Sequence, residues 1–276
     1  MASKRIVHRR VIYKAVRLLR SIVVTAIVVI AAASAVASAQ SSDDKASAIV
    51  AKAVQQLGGD RYLNVTSQVG RGNFSQLRKE GVASYQTFAD AIIFPDKERT
   101  DFKGSSRSTQ VNVGDTGWIY DGDQEIIKLQ TPVQIENFKR GLRTSLDTLL
   151  RGAWRGQATL SYVGKRPGTL GKRNDAIRLT YNDGFAVEFE FDDTGVPVKA
   201  LYTHKNLADD PVKDEDRYGQ FVDFNGIKTP LVVDHYADGE AVSRINYESV
   251  EFNKNIPSSI FTKPATPKDA KKDVKY

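Results

Sequence analysis

Asp-Thr-Gly occurs twice in this 276-residue chain, at Asp115-Thr116-Gly117 and at Asp193-Thr194-Gly195. The chemistry such a pair offers is acid–base hydrolysis, in which two carboxylates held close share one proton and activate water. That chemistry wants apolar residues just before each triplet and Ser or Thr just after it. Here the flanks are Gly114 and Trp118, then Asp192 and Val196. Asp-Thr-Gly is also ordinary turn chemistry, and both copies fall between expected strands, so they are read as turns. An exported aspartic-type hydrolase stands as the alternative to a binding protein, beside a structural module with a filled core.

Other reactive residue types lack a constellation. Asp209, Asp210, Asp214, Glu215 and Asp216 form an expected acidic loop, and Asp121, Asp123 and Glu125 alternate at a turn. Both offer the oxygen ligands that calcium takes, yet neither has the full loop spacing, and Lys213 interrupts the first. They are read as solvated loops. His204 and His235 fall on separate expected strands without HExxH spacing and are read as strand residues. There is no GxSxG elbow and no phosphate-binding glycine loop. The absence of Cys excludes disulfides, thiolate metal sites and a thiol nucleophile. The expectation is a protein that is not an enzyme and holds neither metal nor cofactor.

The elements that position these residues are mostly strands. Phe185, Val187, Phe189 and Phe191 point one way while Glu188 and Glu190 point the other. Ile177, Leu179 and Tyr181 repeat the alternation, as do Leu231, Val233 and His235. Further strands are expected at 64–76, 82–94, 97–103, 107–113, 117–121, 158–165, 197–205, 214–224 and 241–252. The turns between them, such as Asn182-Asp183-Gly184 and Asn225-Gly226, are short enough to make sequential strands antiparallel neighbours. Two helices are expected. Ala46, Ile49, Val50, Ala53, Val54 and Leu57 make one apolar helical face stopped by Gly58-Gly59. A second runs from Val133 to about Arg151, entered through Thr131-Pro132, with the stripe Ile135, Phe138, Leu142, Leu146, Leu149 and Leu150. Two helices cannot cover both faces of so many strands. The fold class is therefore mainly β: one strongly curved antiparallel sheet, an unclosed half-barrel, with helices packed over its concave face.

Charge and hydropathy divide the chain. Lys plus Arg exceed Asp plus Glu by 40 to 33, but residues 1–39 hold seven bases and no acid. Without them the balance is 33 to 33, which excludes a nucleic-acid binder argued from net charge. Basic residues to 20, an apolar run over 21–36 and Ala37-Ser38-Ala39 form the three-part layout of a secretory signal, with cleavage after Ala39. An uncleaved inner-membrane anchor is the alternative. Residues 40–262 read as one domain, and Lys263 to Tyr276 as a basic solvated tail.

Several short motifs, taken in order, resemble a known family. Val113-Gly114-Asp115-Thr116-Gly117-Trp118-Ile119-Tyr120-Asp121 is similar to the polar turn followed by Trp, an apolar residue and Tyr of the periplasmic outer-membrane lipoprotein carriers, the LolA-like group. Phe94-Pro95-Asp96-Lys97-Glu98-Arg99 resembles their strand ending in Pro. Asp193-Thr194-Gly195-Val196-Pro197 resembles a later turn. Phe252-Asn253, Ile256-Pro257, Phe261 and Pro264 resemble their closing pattern. The likeness spans Ala46 to Pro264. It implies an unclosed barrel with a helical lid over an apolar cavity, a periplasmic location, and non-catalytic shielding of a lipid or lipoprotein acyl chain. Sorting proteins of the inner and outer membranes are the implied partners. The carriers place Arg immediately before the Pro; this chain places Phe94 there, so their lid switch is not part of what the likeness implies. The ligand is expected against the inner face of the sheet, under helix 133–151, lined by Phe94, Trp118, Phe189, Leu142 and Leu146.

Overall fold

A computed structural model describes residues 42–271 except Ser106, together with Val274. The chain divides into two units, Met1–Lys45 and Ala46–Tyr276. Of the first, residues 42–45 are described and are helical; the expected leader and its cleavage point lie outside the described residues. Among the described residues, no helix is long and apolar enough to cross a membrane.

The second unit is a meander of thirteen strands. Helix α1 runs to residue 57, followed by the single turn α2 (Asp60–Leu63). Six strands come next: β1 (Ser67–Arg78), β2 (Gly81–Ile93), β3 (Lys97–Lys103), β4 (Arg107–Val113), β5 (Thr116–Asp121) and β6 (Ile126–Leu129). Helices α3 (Pro132–Thr144) and α4 (Leu146–Arg151) interrupt them. The chain resumes with β7 (Ala158–Pro167), β8 (Arg173–Tyr181), β9 (Ala186–Phe191), β10 (Pro197–Lys205), β11 (Pro211–Phe224), β12 (Ile227–Ala237) and β13 (Glu240–Phe252). Two short helical turns follow, Ser258–Phe261 and α5 (Pro267–Ala270).

All pairings are antiparallel, in the order β6-β5-β4-β3-β2-β1-β13-β12-β11-β10-β9-β8-β7. The first and last strands pair with each other in mid-sheet, and β6 and β7 are free edges. The sheet is not closed, and α3–α4 is the connection between its two edges. This is the expected half-barrel architecture.

The two faces of the sheet are packed differently. On the helix-bearing face, Ala46, Val50, Ala53, Val54 and Leu57 of α1 and Leu149 and Leu150 of α4 pack on Ile177, Leu179, Val187, Phe189 and Phe191. Gly58 ends α1 at φ +127°, and a Cβ there would stand 2.4 Å from the Gly226 carbonyl oxygen, so the helix end and the β11–β12 turn approach only through glycine. On the opposite face, Val69, Ala91, Val111, Trp118 and Tyr120 pack under the C-terminal segment through Ile256, Ile260, Phe261 and Ala270. Trp118 donates its indole N–H to the Phe261 carbonyl at 3.0 Å. Elsewhere this face carries a ladder of charge: Arg166 and Arg178 bind Glu188, Lys199 spans Glu190 and Glu215, and Arg217 binds Glu215 at 2.6 Å. Such a surface needs no second layer over it.

Four expectations change in detail. The helix expected over 133–151 is two helices, because Ser145 is extended (φ −73°, ψ 147°) and caps α4 by accepting from the Thr148 N–H at 3.1 Å. Strand β6 is additional: its four residues alternate too briefly to show a period. Asp214, Glu215 and Asp216 do not lie in an acidic loop but inside β11, so their side chains alternate between faces. The segment 263–276, expected as a solvated tail, supplies Ala270, 2% exposed, to the core of the opposite face, and Lys271 pairs with Glu125.

Candidate functional site: a cavity beneath the α3–α4 connection

Strand β2 shows how the site is built. Its residues alternate between Ala91 and Ile93, which join the core under the C-terminal segment, and Phe88, Asp90 and Ile92, which face the helices. In the register of β3, Ile92 pairs with Glu98, so Glu98 shares the helix-bearing face, and Arg99 and Asp101 take the other. Over this corner α3 begins with a complete capping box: Thr131 accepts from the Gln134 N–H, and Gln134 accepts from the Thr131 N–H at 2.9 Å.

The space between them is a cavity of about 340 Å³. It is bounded by Ile92, Phe94 and Pro95 from the sheet side and by Phe138, Leu142 and Ala153 from the helical side, with Lys97, Glu98, Asp147 and Arg151 as charged lining. A second cavity of about 350 Å³ shares Ile92, Gly141, Ser145 and Asp147 with it, and adds Leu146, Tyr62, Tyr202, Tyr218 and Tyr247. Both volumes fall in the roughly 300–1,000 Å³ range of small-molecule sites.

Three of the five residues expected to line one hollow meet here. Phe94 and Leu142 line the first cavity, and Leu146 the second. Phe189 lies on the helix-bearing face but is 0% exposed, enclosed by the α1 and α4 core. Trp118 lies on the opposite face, paired with Val111 and covered by the C-terminal segment. Alternation correctly makes Trp118 and Tyr120 share a face; it does not say which face the helices cover.

Polar residues inside the hollow are those that sequence reasoning passed over. Arg151 donates to Asp147 at 2.8 Å and to the Val65 carbonyl at 2.8 Å, and its guanidinium stacks over Tyr62 at 4.5 Å and Phe94 at 4.3 Å. The Tyr62 hydroxyl also donates to Asp147, at 2.8 Å. Asp90, 4% exposed, accepts from the Tyr247 hydroxyl at 2.8 Å through one oxygen, while the other has no partner. This contact needs Gly70, where a Cβ would come within 2.4 Å of Asp90 and 2.5 Å of the Tyr247 ring. The available signal was positional: Asp90 stands between Phe88 and Ile92, an acid where the pattern demands an apolar residue.

Burial pushes the Asp90 carboxyl up to about 6. Loss of water, with the Asp90 charge second, pushes Glu98 up to about 7. A carboxyl raised on folding binds its proton more tightly in the folded state, so its cost is absent below about pH 4 and grows as pH rises through the folded value. Glu98→Gln should therefore stabilise the protein by about 2 kcal/mol at pH 8 and by nothing measurable at pH 4. Urea titrations of both proteins at the two pH values check this; an equal gain at both would show that Glu98 is not held protonated.

Farther along the same face the two histidines meet Asp214. Both His204 and His235 contact its carboxylate, His235 at 3.3 Å, and His235 also binds Asp216 at 2.7 Å. Hydrogen bonds that its ring donates to the Asp214 and Asp216 carboxylates push His235 up to about 9, so it stays protonated at neutral pH. Among the described residues no group of side chains has the geometry to hold a metal ion. The two Asp-Thr-Gly triplets sit at the β4–β5 and β9–β10 turns, eight places apart in the sheet order. Asp115 is exposed and paired with Lys139 at 2.7 Å, and Asp193 with Lys172 at 3.2 Å. Their carboxylates do not share a proton.

No family model matches the sequence, and no curated protein matches it. Solved structures do. A DUF1329 family protein from Desulfovibrio piger superposes with a TM-score of 0.56 at 13% identity, covering 78% of this chain and 96% of that one. A putative outer membrane lipoprotein-sorting protein domain from Vibrio parahaemolyticus gives 0.52 at 8% identity, over 76% and 95%. A LolA superfamily protein from Nitrosomonas europaea gives 0.51 at 12% identity, over 76% and 97%. The fold is LolA-like. Within this LolA-like fold, the cavity lies between the strand ends at Ile92–Pro95 and the α3–α4 connection. Phe94 stands there under the stacked Arg151, so the guanidinium at this corner comes from α4 and not from the strand.

Proposed function

We propose that the protein is a non-catalytic carrier that shields an acyl chain, or another apolar ligand, in the cavity between α3–α4 and β2–β3. The observation that carries this reading is the cavity itself: Ile92, Phe94, Pro95, Phe138 and Leu142 leave space where a packed core would fill it. Each methylene entering such a site contributes about 0.8 kcal/mol before association costs.

Helix α3 suits the part of a roof. Thr144 is its buried residue; Lys139 pairs with Asp115 midway along it and Arg143 with Asp183 at its end, where the Tyr181 hydroxyl also donates to the Arg143 carbonyl at 2.9 Å. Pairs of that kind contribute about 0–1 kcal/mol each, so α3 separates from the sheet more cheaply than any strand in its ladder. Phe94, Leu142 and Leu146 are the proposed contacts, with the deeper Phe189 and the far-side Trp118 holding the frame.

The basic, apolar and small-residue segments of residues 1–39 support export to the bacterial periplasm, where the proposed partners are a lipid or lipoprotein acyl chain and membrane sorting proteins. N-terminal sequencing of the protein recovered from a periplasmic extract should begin at Gln40. Recovery of an intact Met1 in the membrane fraction would replace the free carrier with an anchored one. Function itself is tested by titration of the purified protein with a neutral fluorescent apolar probe, for which the carrier reading requires saturable binding.

A further inference from the structure

Resting on the carrier reading, the geometry points to a ligand whose apolar chain ends in a cationic amine, with Glu98 as its counter-charge. The wall of the cavity carries four charged residues: Lys97, Glu98, Asp147 and Arg151. Asp147 and Arg151 neutralise each other at 2.8 Å, and Arg151 is further committed to the Val65 carbonyl and to the Phe94 and Tyr62 rings. Lys97 pairs in register with Ile93 and Val113, both of which pack against the core under the C-terminal segment, so strand alternation sends its side chain to that face.

Glu98 is left. Among the described residues its carboxylate has one hydrogen-bond partner, the Thr100 hydroxyl at 3.3 Å, and no cation. Another acid, Asp90, stands one strand away on the same face and itself keeps an unpartnered buried oxygen. A half-buried acid at the wall of an apolar cavity, without a cation, is unfavourable unless something supplies one. An ammonium group at the end of an alkyl chain satisfies both parts of this cavity: its methylenes meet Ile92, Phe94, Phe138 and Leu142, and its charge meets Glu98. A chain ending in a carboxylate would meet the repulsion of Glu98 instead.

The test compares three twelve-carbon ligands, dodecylammonium, dodecanol and dodecanoate, below their aggregation concentrations at pH 8. Each displaces a neutral fluorescent apolar probe from the whole protein and from Glu98→Gln. The neutral alcohol reports the apolar cavity alone, and retained probe binding by the variant reports its fold. The expected result is dodecylammonium binding about tenfold or more tighter than dodecanol, with dodecanoate weakest. In Glu98→Gln the amine-to-alcohol ratio should fall to near one while dodecanol affinity is kept. An amine no tighter than the alcohol, a ratio unchanged in the variant, or dodecanoate as the tightest ligand overturns the assignment while leaving the carrier intact. Binding of none of the three overturns the carrier reading and this inference with it.

Discussion

Asp101→Ala should cost about 3–5 kcal/mol of stability, one of the largest single-residue effects in the molecule. Arg99 and Asp101 are 4% and 6% exposed, and the guanidinium binds both carboxylate oxygens at 2.9 Å. Arg99 also donates to the Ile260 carbonyl at 2.9 Å, and Thr109 donates to Asp101 at 2.5 Å. Removing the carboxylate leaves a buried guanidinium with its charge uncompensated, beside the Trp118 ring at 5.9 Å. The cost is in the unpaired charge more than in the lost contact. Replacing both residues together by apolar ones of similar size should therefore restore much of the loss. Urea unfolding of the single and double variants checks both statements. A single variant as stable as the parent would show that the C-terminal segment is not fixed through this pair.

The second large effect separates the two depths of the helix-bearing face. Phe189→Ala should destabilise by about 3–5 kcal/mol, because Phe189 is 0% exposed and its removal opens a void among α1, α4 and the sheet. Leu142→Glu should leave the fold intact, since Leu142 is half-buried and faces the cavity rather than the packed core. The same substitution places a charge in the apolar wall and should weaken binding of a neutral fluorescent apolar probe by at least about tenfold. Fluorescence displacement together with urea titration of both variants distinguishes them. If Leu142→Glu instead loses stability as Phe189→Ala does, Leu142 is core and the cavity is a packing defect.

The contrast between Trp118 and Leu142 shows what the sequence could and could not convey. Period-two alternation made Trp118 and Tyr120 companions, and the 3.6-residue period gave Phe138 and Leu142 a common helical face. Both hold in the structure. Which face of β5 meets the helices is decided by the whole meander and by Ile256–Ala270 folding back over the other side, and no local pattern carries that information. Antiparallel order was legible because the turns are short. The break at Ser145 was not, since the apolar stripe continues across it from Leu142 to Leu146. Phe94 and Pro95 were marked as a strand end, which is where the cavity opens. Asp90, Glu98 and Arg151 stayed hidden for a different reason: each is a charge whose burial depends on strands or helices distant in sequence. Asp214 falls at the meeting of the expected acidic loop and the expected strand 214–224, and only the β10–β11–β12 register brings His204 and His235 to it.

The most direct test of the central claim is native mass spectrometry of protein purified from cells without detergent, followed by organic extraction and identification of what is released. The expected result is a lipid-like molecule bound to the parent protein and lost from Leu142→Glu, with both proteins equally folded. A parent protein that releases nothing on extraction and takes up no neutral fluorescent apolar probe would contradict it.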